Sequence, residues 1–236
     1  MAAPTSAPPA ARLLIVSGLQ REAAILAGPS RISICGDATA LRAKLAEVAG
    51  LRPQLVMSWG VCGGLDSRLR PGDLVIGAEV VSDDGSIRTD ETVRSRLERR
   101  LTDAGARVVV ERLAAADAPV LTVGAKAELR SATLAAAVDM ESLTAGRFAL
   151  ERRAPFAILR AVADPADRDL PPLVLKAVDP DGRVNVAAVI GELIRFPGQF
   201  SGLIAAARDS KAAFRALNRC RGLLSSLFLG LGPAHF

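Results

Sequence analysis

Acidic side chains follow three apolar runs, and they are the residues of this sequence best suited to chemistry. Glu22 follows the first run, Asp139 and Glu141 follow the second, and Asp164 ends the third. Folds that alternate strands and helices place ligands just past strand ends, so these carboxylates are candidates for one site. The single histidine, His235, lies one residue from the end of the sequence, which excludes a Ser-His-Asp triad, a Cys-His pair and a multi-His zinc site. Acid–base chemistry near neutral pH therefore falls to carboxylates, Lys or Cys.

A glycine-rich segment, residues 60–64, follows an apolar run and is expected to form a loop. Its spacing matches neither GxGxxG nor a P-loop, so the sequence gives no reason to infer a dinucleotide or a nucleoside triphosphate. Cys62 lies in this segment without a histidine to activate it, and we interpret it as a small packing residue. The cysteines at 35, 62 and 220 form no CxxC pair, and the sequence shows no metal-ligand constellation. We therefore expect a reducing cytoplasm, with neither a disulfide framework nor a metal site.

The elements that must position these residues alternate between strands and helices, which indicates a layered α/β fold. Trp59 is expected in the core, and Arg160 is expected to pair with a structural carboxylate. Asp37 and Thr89 are candidate helix caps. The predicted strands are residues 12–17, 31–35, 55–59, 74–81, 108–110, 120–123, 135–138 and 156–162. The predicted helices are residues 38–48, 90–104 and 140–150.

Length and composition favour a globular protein. The chain has 236 residues, half of them apolar and 23% charged, which fits one large domain or two small ones. Residues 1–11 are Ala/Pro/Ser-rich and are interpreted as a disordered leader. We predict a catalytic domain over residues 12–170 and a helical tail over residues 171–236. No apolar run reaches the ~20 residues that a membrane-spanning helix needs.

The positive charge of the protein belongs to the tail. Residues 193–236 hold six basic residues and one acid, and the net charge of the whole chain is +5. Helical spacing places the tail's large apolar residues on one face, with the basic residues opposite. This pattern suits either an anionic membrane surface or a core helix with a solvated basic back, and both interpretations stay open. Nucleic acid is not expected, because aromatic stacking platforms are missing among the basic groups. The apolar face comprises Leu203, Ala207, Phe214, Leu217, Leu224 and Phe228.

Three motifs together resemble those of a known enzyme family. The runs SWGVCGGLDSRLRPGDLV, AVDMES and LRAVAD occur in the order seen in the nucleoside phosphorylase/nucleosidase superfamily. The runs GLQREA, DAPVLTVGAK, ADPADRDLP, RFPGQF and LNRCR extend the likeness to the hopanoid-associated phosphorylases, a branch linked to bacterial hopanoid lipid synthesis. The resemblance implies a three-layer α/β/α sandwich with a mixed, twisted central sheet, to which this chain adds its helical tail.

The resemblance also implies roles for individual residues in cleaving the N-glycosidic bond of a nucleoside. Asp164 matches the acid that serves the N7 and N6 edge of the purine. Glu141 matches the carboxylate that holds the ribose hydroxyls, and Met140 matches its neighbour under the sugar. Val120 lies where the family presents its backbone to the base, and Pro119 takes a place where a Phe often stacks.

Glu22 bears on whether water or phosphate attacks the sugar. Nucleosidases of the superfamily carry a Glu four residues after a glycine to activate water, whereas phosphorylases carry an Arg that grips phosphate. Here Glu22 has that spacing from its glycine, and a phosphate dianion beside it would be repelled. The adjacent Arg21 would restore a phosphate grip if shifted by one residue. Val61 replaces the usual hydroxyl residue of the sugar loop, where it adjoins Cys62 and Gly63, and this also favours water.

The resemblance leads to an expected function and two alternatives. We expect cleavage of an adenosine-bearing hopanoid, adenosylhopane, with release of adenine and with water favoured over phosphate. The alternatives are a soluble methylthioadenosine/S-adenosylhomocysteine nucleosidase and a non-catalytic nucleoside- or membrane-binding module. We expect no cofactor, although inorganic phosphate would be the co-substrate of a phosphorylase. We also expect a homo-oligomer in the cytoplasm, peripheral on the inner face of the membrane.

Overall fold

The computed structural model describes residues 13–196, 198 and 200–229, and the predicted leader and His235 lie outside them. The alternation of strands and helices is confirmed. The strands are β1 Leu13–Ser17, β2 Arg31–Cys35, β3 Leu55–Gly64, β4 Leu74–Ser82, β5 Gly85–Arg88, β6 Val108–Ala115, β7 Ala137–Asp139 and β8 Phe156–Asp164. The α-helices are α1 Gln20–Ile25, α2 Ala38–Glu47, α3 Glu91–Asp103, α4 Val123–Thr133, α5 Ser142–Arg152, α6 Val186–Arg195 and α7 Phe200–Leu229, and a 3₁₀ helix spans Pro172–Lys176.

The eight strands form one mixed sheet, as predicted. Strand β3 pairs in parallel with β1 and β8, and β1 pairs in parallel with β2. Strand β4 pairs in parallel with β6 and antiparallel with β5 and β8. Strand β7 is parallel to β6 and antiparallel to β3, so β3, β8, β4, β6 and β7 close into a ring. This ring brings the ends of β3, β7 and β8 to one place.

Side-chain alternation along the strands produces the predicted three layers. Leu13 and Ile15 of β1 pack into a core shared with α1, α3 and α7. Their neighbours Leu14 and Val16 pack into a second core shared with α2 and α5. Because successive strand residues point to opposite faces, a near-continuous apolar strand is buried on both sides. The sheet is therefore covered by helices on each face.

Helix α7 forms part of the first core. Phe214, Leu217 and Leu224, which the sequence places on the apolar face of the tail, are buried against the sheet. Ala207 on that face is exposed, and the side chain of Phe228 lies outside the described residues. The packed interpretation of this helix therefore holds for residues 213–224. Among the helices of the described residues, none is long and apolar enough to cross a membrane.

Three local expectations were wrong. Residues 60–64 are not a loop, because their backbone continues the pairing of β3 with β8 through Gly63. Residues 120–123 are not a strand, because the hydroxyl of Thr122 accepts a hydrogen bond from Ala125 N and begins α4 there. Asp90 rather than Thr89 caps α3, since its carboxylate accepts from Val93 N while the Thr89 hydroxyl donates to Gly77 O.

Candidate active site

One cavity of about 410 Å³ lies where β1, β3, β7 and β8 end. Its volume is typical of a pocket for a small organic ligand. Its wall includes all eight residues that the sequence predicts for a site. The folding of the chain therefore brings together motifs that are up to 142 positions apart, while their chemical roles stay predictions. These residues are Glu22, Val61, Cys62, Gly63, Val120, Met140, Glu141 and Asp164.

Glu22 is held in place by the backbone. Its carboxylate accepts hydrogen bonds of 2.8 Å from Leu19 N, at the start of α1, and from Val61 N on β3. The side chain is almost wholly buried, and this burial raises the pKa of Glu22, although the charge of Arg160 opposes the rise. A carboxylate with a raised pKa is a better proton acceptor than an exposed one. Two fixed donors keep it oriented.

Gly60 makes room for that carboxylate. It adopts φ +150°, and a Cβ at this position would lie 2.5 Å from Cδ of Glu22. Any other residue would therefore face both an unfavourable backbone conformation and a clash with a buried group. The glycine-rich character of residues 60–64 reflects this close approach rather than a turn.

Asp164 lies at the end of β8, opposite Gly63 in the pairing of β8 with β3. Both of its carboxylate oxygens are within 3.3 Å of where a Cβ on Gly63 would sit. Glu22 binds Val61, two residues earlier on β3, and residues two apart on a strand are separated by ~6.6 Å along its axis. Both carboxylates therefore lie beside residues 61–63 of β3, in agreement with their positions on the wall of one cavity.

Lys126 is a partner of Asp164 that the sequence analysis missed. Its ammonium lies 2.8 Å from Oδ2 of Asp164 and also donates to the carbonyls of Pro165 and Arg168. Burial raises the pKa of Asp164, while the charge and hydrogen bond of Lys126 lower it. In the sequence, Lys126 is a single lysine among mostly apolar residues, and this pattern does not indicate which residue it contacts.

Arg160 organises a second cluster beneath the cavity. The fully buried guanidinium lies 2.7 Å from Asp139 and 2.9 Å from Glu141, and it donates to the hydroxyl of Ser58. Ser142 contacts both Asp139 and Ser58, which completes the network. The expected pairing of Arg160 with a structural carboxylate is confirmed in Asp139. Its second partner, Glu141, is a predicted substrate-binding residue.

The charges of this cluster shift the pKa of its members. Burial raises the pKa of Glu141 to about 8, with Arg160 opposing and Asp139 and Glu22 adding to the rise. Burial disfavours the charged form of Arg160, but the three surrounding carboxylates outweigh it and raise the pKa of the guanidinium further. One cation thus faces three acids, and the raised pKa of Glu141 lies close to neutral pH.

The remaining predicted residues shape the wall. Cys62 is buried, and burial raises the pKa of its thiol well above the ordinary value, so it is not activated as a nucleophile. Met140, Val120 and Pro119 line the cavity, and Val120 packs against the small core around Ala114. The wall at the predicted base position is therefore aliphatic.

A hairpin after the 3₁₀ helix closes the outer side. Val178 pairs with Val184, and the turn between them is tied to the body by main-chain hydrogen bonds. Asp37 N donates to Pro180 O and Gln20 N donates to Gly182 O, each at an N···O distance of 2.9 Å. Gly182 has φ +79°, and a Cβ there would overlap the Gly18 carbonyl. The apolar residues on this side of the cavity are Leu170, Val174, Leu175, Val178 and Pro180.

Arg21 points away from the cavity. Its guanidinium stacks 4.1 Å from the ring centroid of Phe214 on α7, on the outer side of α1. The residues that the structure describes on the cavity wall include no Arg or Lys. Arg21 therefore does not occupy the phosphate-binding position that a one-residue shift would give it.

Comparison with known proteins assigns the family. A family model described as the phosphorylase superfamily matches residues 21–195. The chain belongs to the phosphorylase superfamily. As a member of this superfamily it is an enzyme that cleaves the glycosidic bond of nucleosides, and the residues of the cavity wall, apart from Gly18 and Leu19, lie within the matched range.

Solved structures of other proteins share this superfamily fold. A 5'-methylthioadenosine/S-adenosyl homocysteine nucleosidase of Helicobacter pylori is similar with a TM-score of 0.64 and 14% identity, covering 92% of this chain and 99% of that one. An S-adenosylhomocysteine nucleosidase of Streptococcus pyogenes gives 0.62 at 14% identity, with coverages of 92% and 99%. The futalosine hydrolase of H. pylori gives 0.56 at 16% identity, covering 64% and 87%. At these identities the likeness establishes the architecture.

Proposed function

We propose that this superfamily member cleaves the bond between adenine and ribose in an adenosine-bearing hopanoid, with water as the attacking group. The observation that carries the proposal is the pair Glu22 and Asp164, which meet β3 two residues apart and open onto one cavity. Asp164 is thereby available to protonate the departing base, and Glu22 is available to activate the attacking water. The choice of a hopanoid rests on the motif resemblance and on the apolar outer side of the cavity.

The proposed reaction is a single displacement at the sugar. Asp164 donates a proton to N7 of adenine as the bond from C1′ to the base breaks, so the base leaves neutral. Glu22 takes a proton from water, whose oxygen bonds to C1′ and yields the free ribosyl lipid. Glu141 holds the ribose hydroxyls, and its raised pKa allows it to donate as well as accept a hydrogen bond there. Return of the proton from Glu22 to Asp164 through solvent restores the enzyme.

Charge around the cavity supports water over phosphate. The cation nearest to Glu22 and Glu141 is Arg160, and it already faces three carboxylates. A phosphate dianion would have to displace one of them or sit beside them uncompensated. Water carries no charge and is not disfavoured in this way. No cofactor is proposed, and inorganic phosphate is proposed only as the co-substrate of the alternative, a phosphorylase.

The hydrophobic side of the cavity supports a lipid substrate. Val174, Leu175 and Val178 offer no polar side chain to the group that a nucleoside carries beyond its ribose. A hydrocarbon substituent gains from burial against such a surface, at about 25 cal/mol per Å². A methylthio group would fit the same chemistry, and the similarity in fold to methylthioadenosine nucleosidases favours that second candidate substrate.

Isotope labelling tests both parts of the proposal. The enzyme is incubated with adenosylhopane in ¹⁸O-water, with and without inorganic phosphate, and the products are weighed by mass spectrometry. We expect adenine in both samples and a ribosyl lipid carrying one ¹⁸O. Adenine release that depends on phosphate, with a ribose 1-phosphate product, would assign the enzyme as a phosphorylase. Much faster cleavage of methylthioadenosine than of the lipid would favour the soluble nucleosidase.

A further inference from the structure

Exposed apolar side chains concentrate on one stretch of this protein. Of the eleven large hydrophobic residues that are exposed among the described residues, eight fall between positions 175 and 204. The other three, Val123, Leu134 and Leu150, are scattered, which is ordinary for a protein surface. A concentrated apolar surface usually marks a place of contact. These eight residues are Leu175, Val178, Val184, Val186, Ile190, Phe196, Phe200 and Ile204.

This surface is continuous with the cavity. Leu175 and Val178 line the cavity and are also 51% and 39% exposed. The bridge between Val178 and Val184 places the second valine, which is also exposed, beside the first. Val186 begins α6 two residues later, and Ile190 is exposed one turn along that helix. An apolar path therefore leads from the cavity wall to the outside.

Helix α7 joins a row of cations to the apolar surface. Its exposed stripe repeats at spacings of three and four, which keeps all six members within about 100° of helix circumference. The opposite side of the same helix, with Phe214, Leu217 and Cys220, is buried in the core. The orientation of the stripe toward solvent is therefore fixed by packing. The stripe consists of Phe200 and Ile204, followed by Arg208, Lys211, Arg215 and Arg219.

Two of the described acids near this row, Asp209 and Asp181, are already paired with other cations. Asp209, on the flank of α7, is buried and paired with Arg168. Asp181, in the hairpin turn, lies 2.9 Å from Lys44, and Asp179 accepts a hydrogen bond from Arg183 N. The solvent-facing side of α7 is thus apolar at its start and cationic along about three turns after that.

We propose that this protein docks on an anionic lipid bilayer. The contacting surface, called the docking face, consists of the eight exposed apolar residues between positions 175 and 204 and the four α7 cations. Exposed apolar side chains insert among lipid headgroups, and cations bind the anionic lipids around them. A second copy of the chain is a poorer partner, because a symmetric contact would bring two identical rows of cations together. Leu175 and Val178 belong both to the docking face and to the cavity wall, so a lipid nucleoside would reach the cavity without leaving the membrane; this last step rests on the proposed function.

Vesicle sedimentation of the full chain tests docking without any substrate. We expect binding to vesicles of phosphatidylcholine with 30% phosphatidylglycerol and much weaker binding to phosphatidylcholine alone. Replacing two cations, Arg215→Gln with Arg219→Gln, should weaken binding roughly 30-fold, at about fivefold per cation. The matched control carries Arg42→Gln with Arg99→Gln, two exposed arginines elsewhere, and should bind as the parent does. Equal loss in both variants would overturn the proposal, because it would show only a dependence on net charge.

The apolar part of the docking face has its own control. Ile190→Ser with Phe200→Ser should release the protein from vesicles, while Leu134→Ser with Leu150→Ser, at scattered exposed positions, should not. If the first pair leaves vesicle binding intact, or if it only changes the oligomeric state in gel filtration, the docking face is not a membrane surface. All four variants lie outside the cavity wall, so cleavage of a small soluble nucleoside should be unchanged. Vesicle binding without cleavage of any nucleoside would retain docking and reject the proposed function.

Discussion

The two carboxylates of the site are tuned by different neighbours. Glu22 accepts hydrogen bonds from two backbone N–H groups and interacts electrostatically with Arg160, which also faces two other acids. Asp164 is instead paired with one lysine. Environments that separate two acids in this way are typical of sites where one group accepts a proton and the other donates one. The residue-level proposal can therefore be tested one side chain at a time.

Asp164→Asn should abolish adenine release while the fold stays intact. The amide keeps the shape of the side chain but cannot donate the proton that lets the purine leave, and loss of a general acid lowers the rate by about 10²–10⁴-fold. Adenine release is followed by chromatography, and circular dichroism checks the fold. Asp167→Asn, at an exposed position in the same loop, is the matched control. Full activity of the Asp164 variant would remove Asp164 from the mechanism.

Lys126→Met should move the alkaline limb of the pH–rate profile to higher pH. The ammonium of Lys126 lowers the pKa of Asp164, so removing it raises that pKa and keeps the acid protonated at higher pH. Stability should also fall by about 1–3 kcal/mol, because the buried carbonyl of Pro165 and the partly buried carbonyl of Arg168 lose their donor. Kinetics of kcat/KM against pH give the first result, and urea unfolding gives the second. Lys44→Met, in a more exposed ion pair, should shift neither limb; an unmoved limb in Lys126→Met would show that the lysine only supports the loop.

Sequence reasoning found the acids and the pairing of Arg160, but it missed the contacts of Lys126 and Gly60 with two of these acids. The residues at Glu22, Glu141 and Asp164 stand out because each follows an apolar run, and the structure brings them to one cavity. Lys126 and Gly60 act through contacts across the fold, with Asp164 in one case and Glu22 in the other. Such contacts depend on strand register, which hydrophobic patterning does not specify for glycine-rich segments.

At the scale of elements, β3 and α7 have roles that differ from their sequence patterns. Residues 60–64 resemble a loop because they are rich in glycine, yet they extend β3 and form the floor between the two carboxylates. Helix α7 resembles an isolated amphipathic helix, yet the sheet covers its apolar side. In both cases, tertiary pairing overrides the local signal.

Phe214→Ala should destabilise the protein by about 3–5 kcal/mol. The ring is buried between α7 and the sheet and also carries the stacked guanidinium of Arg21, so truncation leaves a cavity in the core. Phe200→Ala, at the exposed start of the same helix, should change stability by less than about 0.5 kcal/mol. Urea denaturation measures both values. Similar small effects at the two positions would mean that α7 does not contribute to the core.

At the scale of the whole molecule, the tail and the body share one core. The predicted boundary at residue 170 separates β8 from α7, but α7 packs directly on β8 and on the core around Trp59. The alternating pattern predicted a layered α/β fold, because both faces of the strands are apolar, whereas the mixed sheet was implied by the family resemblance. It missed α4, where residues 120–123 have the composition of a strand and a threonine cap decides the conformation.

The full chain should unfold in a single cooperative transition. Trp59 is the only tryptophan and is completely buried in the core that α7 helps to form, so its fluorescence reports on that core. Fluorescence and far-ultraviolet circular dichroism should give coincident urea curves, as two-state unfolding requires. Two separated transitions would instead support an independent tail domain. Gel filtration of the same sample tests the homo-oligomer that the resemblance implies.

The hairpin that walls the cavity is fastened by its main chain. The carbonyls of Pro180 and Gly182 accept hydrogen bonds from the body, whereas the side chain of Val178 lines the cavity. Replacing Val178 with another apolar residue therefore changes the cavity wall and leaves these main-chain hydrogen bonds in place. The residues that contact the ligand and the hydrogen bonds that attach the hairpin are therefore separate in this architecture. Substrate specificity can change during evolution while the attachment of the hairpin stays the same.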